Sequence, residues 1–443
     1  MTTKNDAIQI DASPTKELFV SMLIRDIPLI RAIIDLVDNA VDGALRLRKE
    51  SNDYSGLSIR IELDNEHFKI VDNCGGISVN VAQNYAFRFG RAKEADSIAG
   101  SVGQFGVGMK RAFFKLGRQF RVESTSQNTH FVIEENVDEW KQKTDWHFQF
   151  KALDDTADMP EEKRETLITV TNLHETIANE FQLDNFRTRL YRALETAHAI
   201  NVDKGLTITL NGIPLKKHPF SLLHSEQLQP AFKEITYGEG TVRVKIFAGV
   251  AERDLSRGGW SIFCNGRLLL EADQTKTTGW GEENGSMIPK YHADFAYFRG
   301  YVFFDADDTG LLPWTTTKTG IDDDASIYKA VRLEMLTLMR PVLDFLRQLA
   351  RERSRKEQGD IEESALEKAL ENAESKTYSE INTLNKFIAP KPTPLPPVKA
   401  NRRIQYSQPE SKVKKVQEVL NVNTLTATGE KTFEYFFKME CDD

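Results

Sequence analysis

Residues 28–48, PLIRAIIDLVDNAVDGALRLR, form an apolar helical run into which polar side chains intrude on one side. Pro28 suits a first helical turn, apolar residues recur at spacings of three and four, and Arg46 and Arg48 stand near the C-terminal end, where the helix dipole favours cations. Asp35, Asn39 and Asp42 stand at i, i+4 and i+7 and so share one face, while Ile33, Ile34, Val37, Val41 and Leu45 fill faces suited to a core. Such a stripe is either the solvated side of an amphipathic helix or a buried set with a task. Buried and unpaired, it would be costly.

The surrounding chain narrows the choice. Its 443 residues leave room for two or three domains of roughly 150 residues each. Net charge is −8, which argues against a dedicated sequence-independent DNA binder, since such binding rests on phosphate neutralisation. Three widely spaced cysteines, Cys74, Cys264 and Cys441, argue for a reducing compartment and against a disulfide framework or a zinc site. The stretch MTTKNDAIQIDASPT has no basic patch followed by an apolar run, and no segment approaches the ~18–20 apolar residues of a membrane span, so a cytoplasmic protein without membrane contact is expected.

Strand signals follow the first helix at 57–63 and 67–73, then a glycine-rich stretch at 90–108, a helix at 109–116 and strands at 119–125 and 166–173. A connecting helix is expected over 178–200. A second α/β segment opens with LTITLNGIPL (206–215) and continues through 242–250, 260–270 and 298–306. Residues 324–350 turn helical, 351–388 have the charged composition of an extended helix or stalk, and APKPTPLPP (389–397) is a proline-rich linker.

Two further elements bear on the polar stripe. The strand at 67–71 runs into Asp72-Asn73-Cys74-Gly75-Gly76-Ile77. A carboxylate at a strand end beside small residues lets a flat ligand approach and can accept from an exocyclic amine; the same segment alone also reads as a plain turn. Glycines at 100, 103, 106 and 108 then lead into a helix, a cradle of backbone N–H groups suited to phosphates. No Gly-Lys-Ser/Thr closes it, so it is not a Walker A loop.

In this order and spacing the three elements resemble the GHKL superfamily of gyrase-type topoisomerases, heat-shock ATPase chaperones, histidine kinases, MutL and MORC proteins. GQFGVG (103–108) looks like the heat-shock chaperone version, whereas the run 88–112 looks more like MORC. The resemblance covers about residues 15–175. It implies an α+β fold: a GHKL (Bergerat) α/β sandwich that binds ATP and Mg²⁺ over residues 1–200. A ribosomal-protein-like α/β transducer domain is expected over 201–345, a helical stalk over 346–388, a linker over 389–399 and a small C-terminal module over 400–443.

The resemblance also implies roles. Asn39 would hold Mg²⁺ in a sparse oxygen site, and Asp35 falls where the family places the Glu that activates water. Asp42 and Ile77 would lie in the ATP site, and Asp72 would read the adenine amino group with Gly76 beneath the base. Thr166 matches the adenine-side threonine, and Gly103, Gln104, Phe105, Gly106, Val107 and Gly108 would meet the phosphates. Lys93 and Lys110 are either near the nucleotide or merely solvated. Two positions depart from the pattern. Asp35 is shorter than Glu by one C–C bond, ~1.5 Å, and a displacement of about 1 Å can cost ~10²-fold in rate, so slow hydrolysis is expected. Cys74 stands where the family commonly has Gly, so the turn is expected to be rearranged.

SIFCNGRLLL (261–270) is similar to the Asn-Gly-Arg strand in the second domain of MutL relatives, and LLPWTTTKTGI (311–321) falls where those relatives carry a lysine to the γ-phosphate. Lys318 is the expected sensor, with Lys276, in DQTKTTG, as its rival. In the tail, 402–422 reads as a basic amphipathic helix with Ser407 as a cap, followed by the aromatic FEYFFKM (433–439), suited to packing on itself, on a partner subunit or on nucleic acid. The resemblance implies a nucleotide-dependent homodimer, an ATP-gated clamp on DNA or a partner effector protein, with a role in defence against foreign DNA as analogy only. A protein-remodelling chaperone and a slow nucleotide-gated sensor or scaffold are the alternatives. A histidine kinase is not expected, because too few residues precede the first helix to carry a phospho-accepting histidine.

Overall fold

The computed structural model describes residues 14–25, 27–51, 53–89, 108–156, 158–217, 219–238, 240–282, 288–315, 320–381, 386–394 and 404–441. Met1–Thr393 form one compact unit and Pro394–Asp443 a second.

Helix α1 (Lys16–Arg25) precedes α2 (Leu29–Leu47), the helix of the polar stripe. Pro28 is its N-cap in extended backbone, one residue ahead of the first turn. Strands β1 (Ser58–Leu63) and β2 (His67–Asp72) alternate buried and less buried residues, as a half-covered antiparallel pair should. A single turn, α3 (Val79–Val81), runs into a π-type turn at Ala82–Ala86. Helix α4 (Gly108–Leu116) then feeds β3 (Gly117–Thr125) and β4 (His130–Asn136), with α5 (Val137–Gln142) leading to β5 (Phe150–Asp154) and β6 (Glu165–Leu173).

Helices α6 (Glu175–Gln182) and α7 (Asp184–Asp203) follow, and then β7 (Thr207–Leu210) and β8 (Ile213–Pro214). Among the described residues the first sheet runs β5-β4-β3-β6-β2-β1-β7-β8, parallel only between β1 and β7. The expected start of the second α/β segment at 206 therefore shifts. Thr207–Leu210 pair with Ser58–Ile61, and Asn211 in left-handed backbone closes the β7–β8 turn while its Oδ1 accepts from the Leu63 N–H.

The second sheet is ordered β10-β11-β14-β12-β13, from β10 (Ala231–Tyr237), β11 (Val242–Val250), β12 (Gly259–Cys264), β13 (Arg267–Asp273) and β14 (Phe298–Ala306), with β9 (Ser221–His224) standing outside it. Strand β12 is buried throughout because both faces are covered. On one face Val244, Ile246, Trp260 and Ile262 share a core with Val331, Met335, Met339 and Leu346 of α8 (Ser326–Gln358). On the other, Phe247, Phe263, Tyr301 and Phe303 pack with Ala199 and Ile200 of α7.

Helix α7 is thus common to both layers, since its Leu190, Leu194 and Ala197 belong to the core of the first sheet. It is kinked at His198 (φ −114°, ψ 15°), where the helix passes from one layer to the other.

The stalk expected over 346–388 is replaced by a return of the chain. Helix α8 ends at Gln358 on Gly359 in left-handed backbone. Helix α9 (Ala365–Glu371) follows, and β15 (Glu374–Thr377) pairs with β9. The reason lies in Glu352, whose buried carboxylate accepts from the Ser364 hydroxyl and from the backbone N–H groups of Leu366 and Thr393. Those bonds hold the returning segment against α8.

In the C-terminal unit, α10 (Glu410–Leu420) and α11 (Leu425–Glu440) form a helical pair. Ser407 is not the cap; Pro409 takes that position without a side-chain bond. Phe433, Tyr435, Phe436, Phe437 and Met439 are exposed along α11.

A buried ion pair ties α2 to the second sheet. Arg267, the arginine of the Asn-Gly-Arg stretch, donates to Asp38 Oδ2, and both side chains are 3% exposed. Asp38→Ala would strand a buried guanidinium, so it is expected to lower the unfolding free energy by ~3–5 kcal/mol. Replacing both residues with apolar side chains should recover most of that loss. Urea unfolding of the single and double variants checks both outcomes.

Candidate functional site

Asp35 and Asp42 of the stripe on α2 are buried and Asn39 is half-buried, and Asp35 draws partners from α2 itself and from α4. Asp35 is 7% exposed and faces two guanidiniums: Arg31, one turn earlier on the same helix, forms an ion pair at 3.1 Å to Oδ1, and Arg111, from α4, donates to Oδ2 at 2.7 Å. Its carboxylate lies against Gly108, the first residue of α4, where a Cβ would come within 3.3 Å of Oδ2. An anion there sits at the positive end of a helix dipole. Burial pushes the Arg31 guanidinium below its usual range, Asp35 opposes that shift and Arg111 adds to it.

Farther along the same helix, Gly43 packs on the turn after β2. A Cβ at Gly43 would stand 2.6 Å from the Cys74 carbonyl oxygen, so no larger residue fits without moving the helix. That turn carries left-handed backbone at Gly75 (φ 97°) and Gly76 (φ 71°). A Cβ at Gly76 would fall 2.0 Å from the Thr125 carbonyl oxygen, so both conformation and space require glycine. Cys74 fits the rearranged turn with its thiol buried, which pushes that thiol well above its usual range, and its N–H donates to Asp72 Oδ1 at 2.9 Å.

Asp72 and Thr166 are cross-strand partners between β2 and β6, and both are buried. The Thr166 hydroxyl lies 3.1 Å from that of Ser124, which also accepts from the Ile77 N–H at 2.8 Å. The structure therefore joins Asp72, Gly76, Ile77 and Thr166 in one corner, with Ser124 as a member the sequence reading missed. Burial pushes the Asp72 carboxyl up to about 6, against the Cys74 N–H and the positive Arg46.

Between these ends lies the half-buried Asn39, with the buried Asp42 farther along the helix. Asn39 Nδ2 is buried and has no hydrogen-bond partner among the described residues. It has company. Arg31 Nε, Arg111 Nε, Asp38 Oδ1, both His198 ring nitrogens and Arg267 Nε are likewise buried and without hydrogen bonds. His198 Nε2 stands 3.9 Å from Asp38 Oδ1, and burial, with Arg31 adding to it, pushes the ring down to about 3, so it is neutral. Arg31 could have been suspected from its i, i+4 spacing to Asp35. Arg111, Asp38 and His198 carried no comparable signal.

Lys110 is not solvated. It is 1% exposed, its Nζ donates to the Ala86 carbonyl oxygen at 2.7 Å, and burial pushes it down to about 7. Lys276 is exposed in a short turn after β13. Lys93, Gly103, Gln104, Phe105, Gly106, Val107 and Lys318 lie outside the described residues.

Residues 27–166 match the family model described as "Histidine kinase-, DNA gyrase B-, and HSP90-like ATPase". That match supports a GHKL-type ATPase domain over these residues and, with it, ATP binding. Comparison with curated proteins finds no match. No helix among the described residues is long and apolar enough to cross a membrane. Nor do the described residues hold a group of three or more His, Cys, Asp or Glu side chains suited to a metal ion.

The raised Asp72 gives a pH prediction. Only the ionised carboxylate presents Oδ2 purely as an acceptor, because protonation would place the hydrogen on the oxygen that the Cys74 N–H does not occupy. A ligand amine on Oδ2 favours the ionised form, so nucleotide affinity should weaken as pH falls through about 6, and binding near that pH should release a proton. Asp72→Asn should bind weakly at every pH. Calorimetry in buffers of different ionisation enthalpy reads both effects; affinity flat from pH 7.5 to 5.5 in the unmodified chain would overturn the assignment.

Proposed function

We propose that this chain binds Mg-ATP along the buried face of α2 and hydrolyses it slowly. The observation that carries the proposal is the helix face itself. Asp35 meets the N-terminus of α4 at one end, Gly43 meets the turn after Asp72 at the other, and Asn39 stands between them with an unpartnered amide nitrogen. Eight residues of helix span about 12 Å, a length suited to a nucleotide laid with its base at Asp72 and its phosphates toward Gly108.

Asn39 fits Mg²⁺ chemically. Its amide oxygen is a hard ligand, its nitrogen is not committed elsewhere in the described protein, and Mg²⁺ commonly takes its remaining ligands from phosphates and water. The ion, when bound, would neutralise phosphate charge. Asp72 would orient the base, Thr166 and Ser124 would hold the corner behind it, and the N-terminus of α4 would face the phosphates. Asp35 is the candidate base. Both its oxygens are engaged by arginines, which favours slow turnover and keeps a nucleotide-gated sensor as the second reading.

The Asp38–Arg267 pair, next to Asn39, supports a coupling of nucleotide state to the second sheet. By resemblance to MutL and MORC proteins, the outcome would be an ATP-gated homodimeric clamp acting on DNA or a partner effector, with Lys318 or Lys276 as the γ-phosphate sensor.

Asn39→Ala is expected to reduce Mg-dependent nucleotide affinity at least about ten-fold, the scale of one lost charge-assisted contact. Titration with and without Mg²⁺ measures it, and undiminished affinity would remove Asn39 from the site. Light scattering with a non-hydrolysable ATP analogue should show a dimer forming. A monomer under both conditions would end the clamp proposal while leaving nucleotide binding intact.

A further inference from the structure

Asp35 is the candidate base, yet neither of its oxygens is free of a guanidinium, and the two guanidiniums differ. Arg31 lies on the same helix with a side chain 7% exposed, fixed by the core around it. Arg111 comes from the first turn of α4, three residues after Gly108, and its side chain is 20% exposed. Each keeps a buried Nε without a hydrogen bond, so Asp35 does not exhaust either fork. The carboxylate rests beside Gly108, at the helix N-terminus that favours an anion. Asp35 and a bound terminal phosphate would therefore compete for one place and one cation. A phosphate carries more charge than a carboxylate and offers three oxygens to a planar fork.

We propose that Arg111 distinguishes a nucleoside triphosphate from a diphosphate by exchanging Asp35 Oδ2 for the terminal phosphate. Arg31 keeps hold of Oδ1 and so keeps the carboxylate in place. The exchange frees Oδ2 to face water only when a third phosphate is bound. Arg111 is then a specificity-determining residue and Arg31 a positioning residue. Asp in place of the family's Glu suits the arrangement, because the short side chain reaches both arginines without leaving the helix face. The inference rests on the Mg-ATP reading above.

The opposing account is that both arginines only neutralise a buried carboxylate. Calorimetric titration of the full chain with Mg²⁺ and either ADP or a non-hydrolysable ATP analogue separates the two. Arg111→Gln should weaken the analogue by about ten-fold or more while changing ADP by less than about two-fold. Arg111→Lys, which keeps the charge but loses the fork, should retain part of the preference and provides a variant less prone to misfold. Asp35→Asn, which removes the competing anion, should bind the analogue more tightly than the unmodified chain and lose hydrolysis. Equal loss of both nucleotides in Arg111→Gln and Arg111→Lys would overturn the proposal, as would weaker analogue binding by Asp35→Asn with its thermal melt unchanged. Failure of the unmodified chain to bind either nucleotide would sink the Mg-ATP reading and this inference with it.

Discussion

The fold depends on burying the charged side of one helix. Arg31, Asp35, Asp38 and Asp42 all lie inside on α2, where isolated charges would be prohibitive. Arg31 answers Asp35 locally. The other partners come from far along the chain: Arg111 from α4 and Arg267 from β13, with the neutral His198 of α7 packed beside Asp38. Each must arrive for α2 to stay buried, so one electrostatic requirement fixes the placement of two helices and a strand. The same requirement leaves little freedom in the chemistry, because the candidate base is also a structural counter-ion.

Much of the first layer was legible in the sequence, because its patterns are local. The 3.6-residue period of α2, the alternation of β1 and β2 and the glycines after Asp72 specify geometry within a few residues of themselves. The Asp72–Gly76–Thr166 corner was readable only through family resemblance, since Thr166 is brought to Asp72 by strand pairing across ninety-odd residues. Arg111 and Arg267 could not be read at all as partners of α2, because nothing in their neighbours' periodicity points to a carboxylate elsewhere.

The charged stretch after residue 350 misleads for a related reason. Its composition is that of a solvated helix, and α8 indeed continues to Gln358. One glutamate in it, Glu352, faces inward and collects donors from Ser364, Leu366 and Thr393. A composition count weighs that residue like any other glutamate. The fold does not, because a buried carboxylate must be satisfied, and the return of the chain is what satisfies it. The strand assigned to the second segment moved for a comparable reason: β7 completes the edge of the first sheet beside β1, a long-range pairing that alternation alone cannot address.

Helix α7 belongs to two cores at once, and the strand that follows it goes back to the first sheet. The layers are therefore not beads that can be exchanged at a linker. A chimera joined at residue 200 would take Thr207–Leu210 from its edge beside β1 and leave Ala199 and Ile200 to meet a foreign surface. Recombination with a relative would keep the edge of the first sheet only if its crossover fell beyond β8, and even there Ala199 and Ile200 would have to match the incoming second sheet, so α7, β7 and β8 would be inherited with the first layer as a single block.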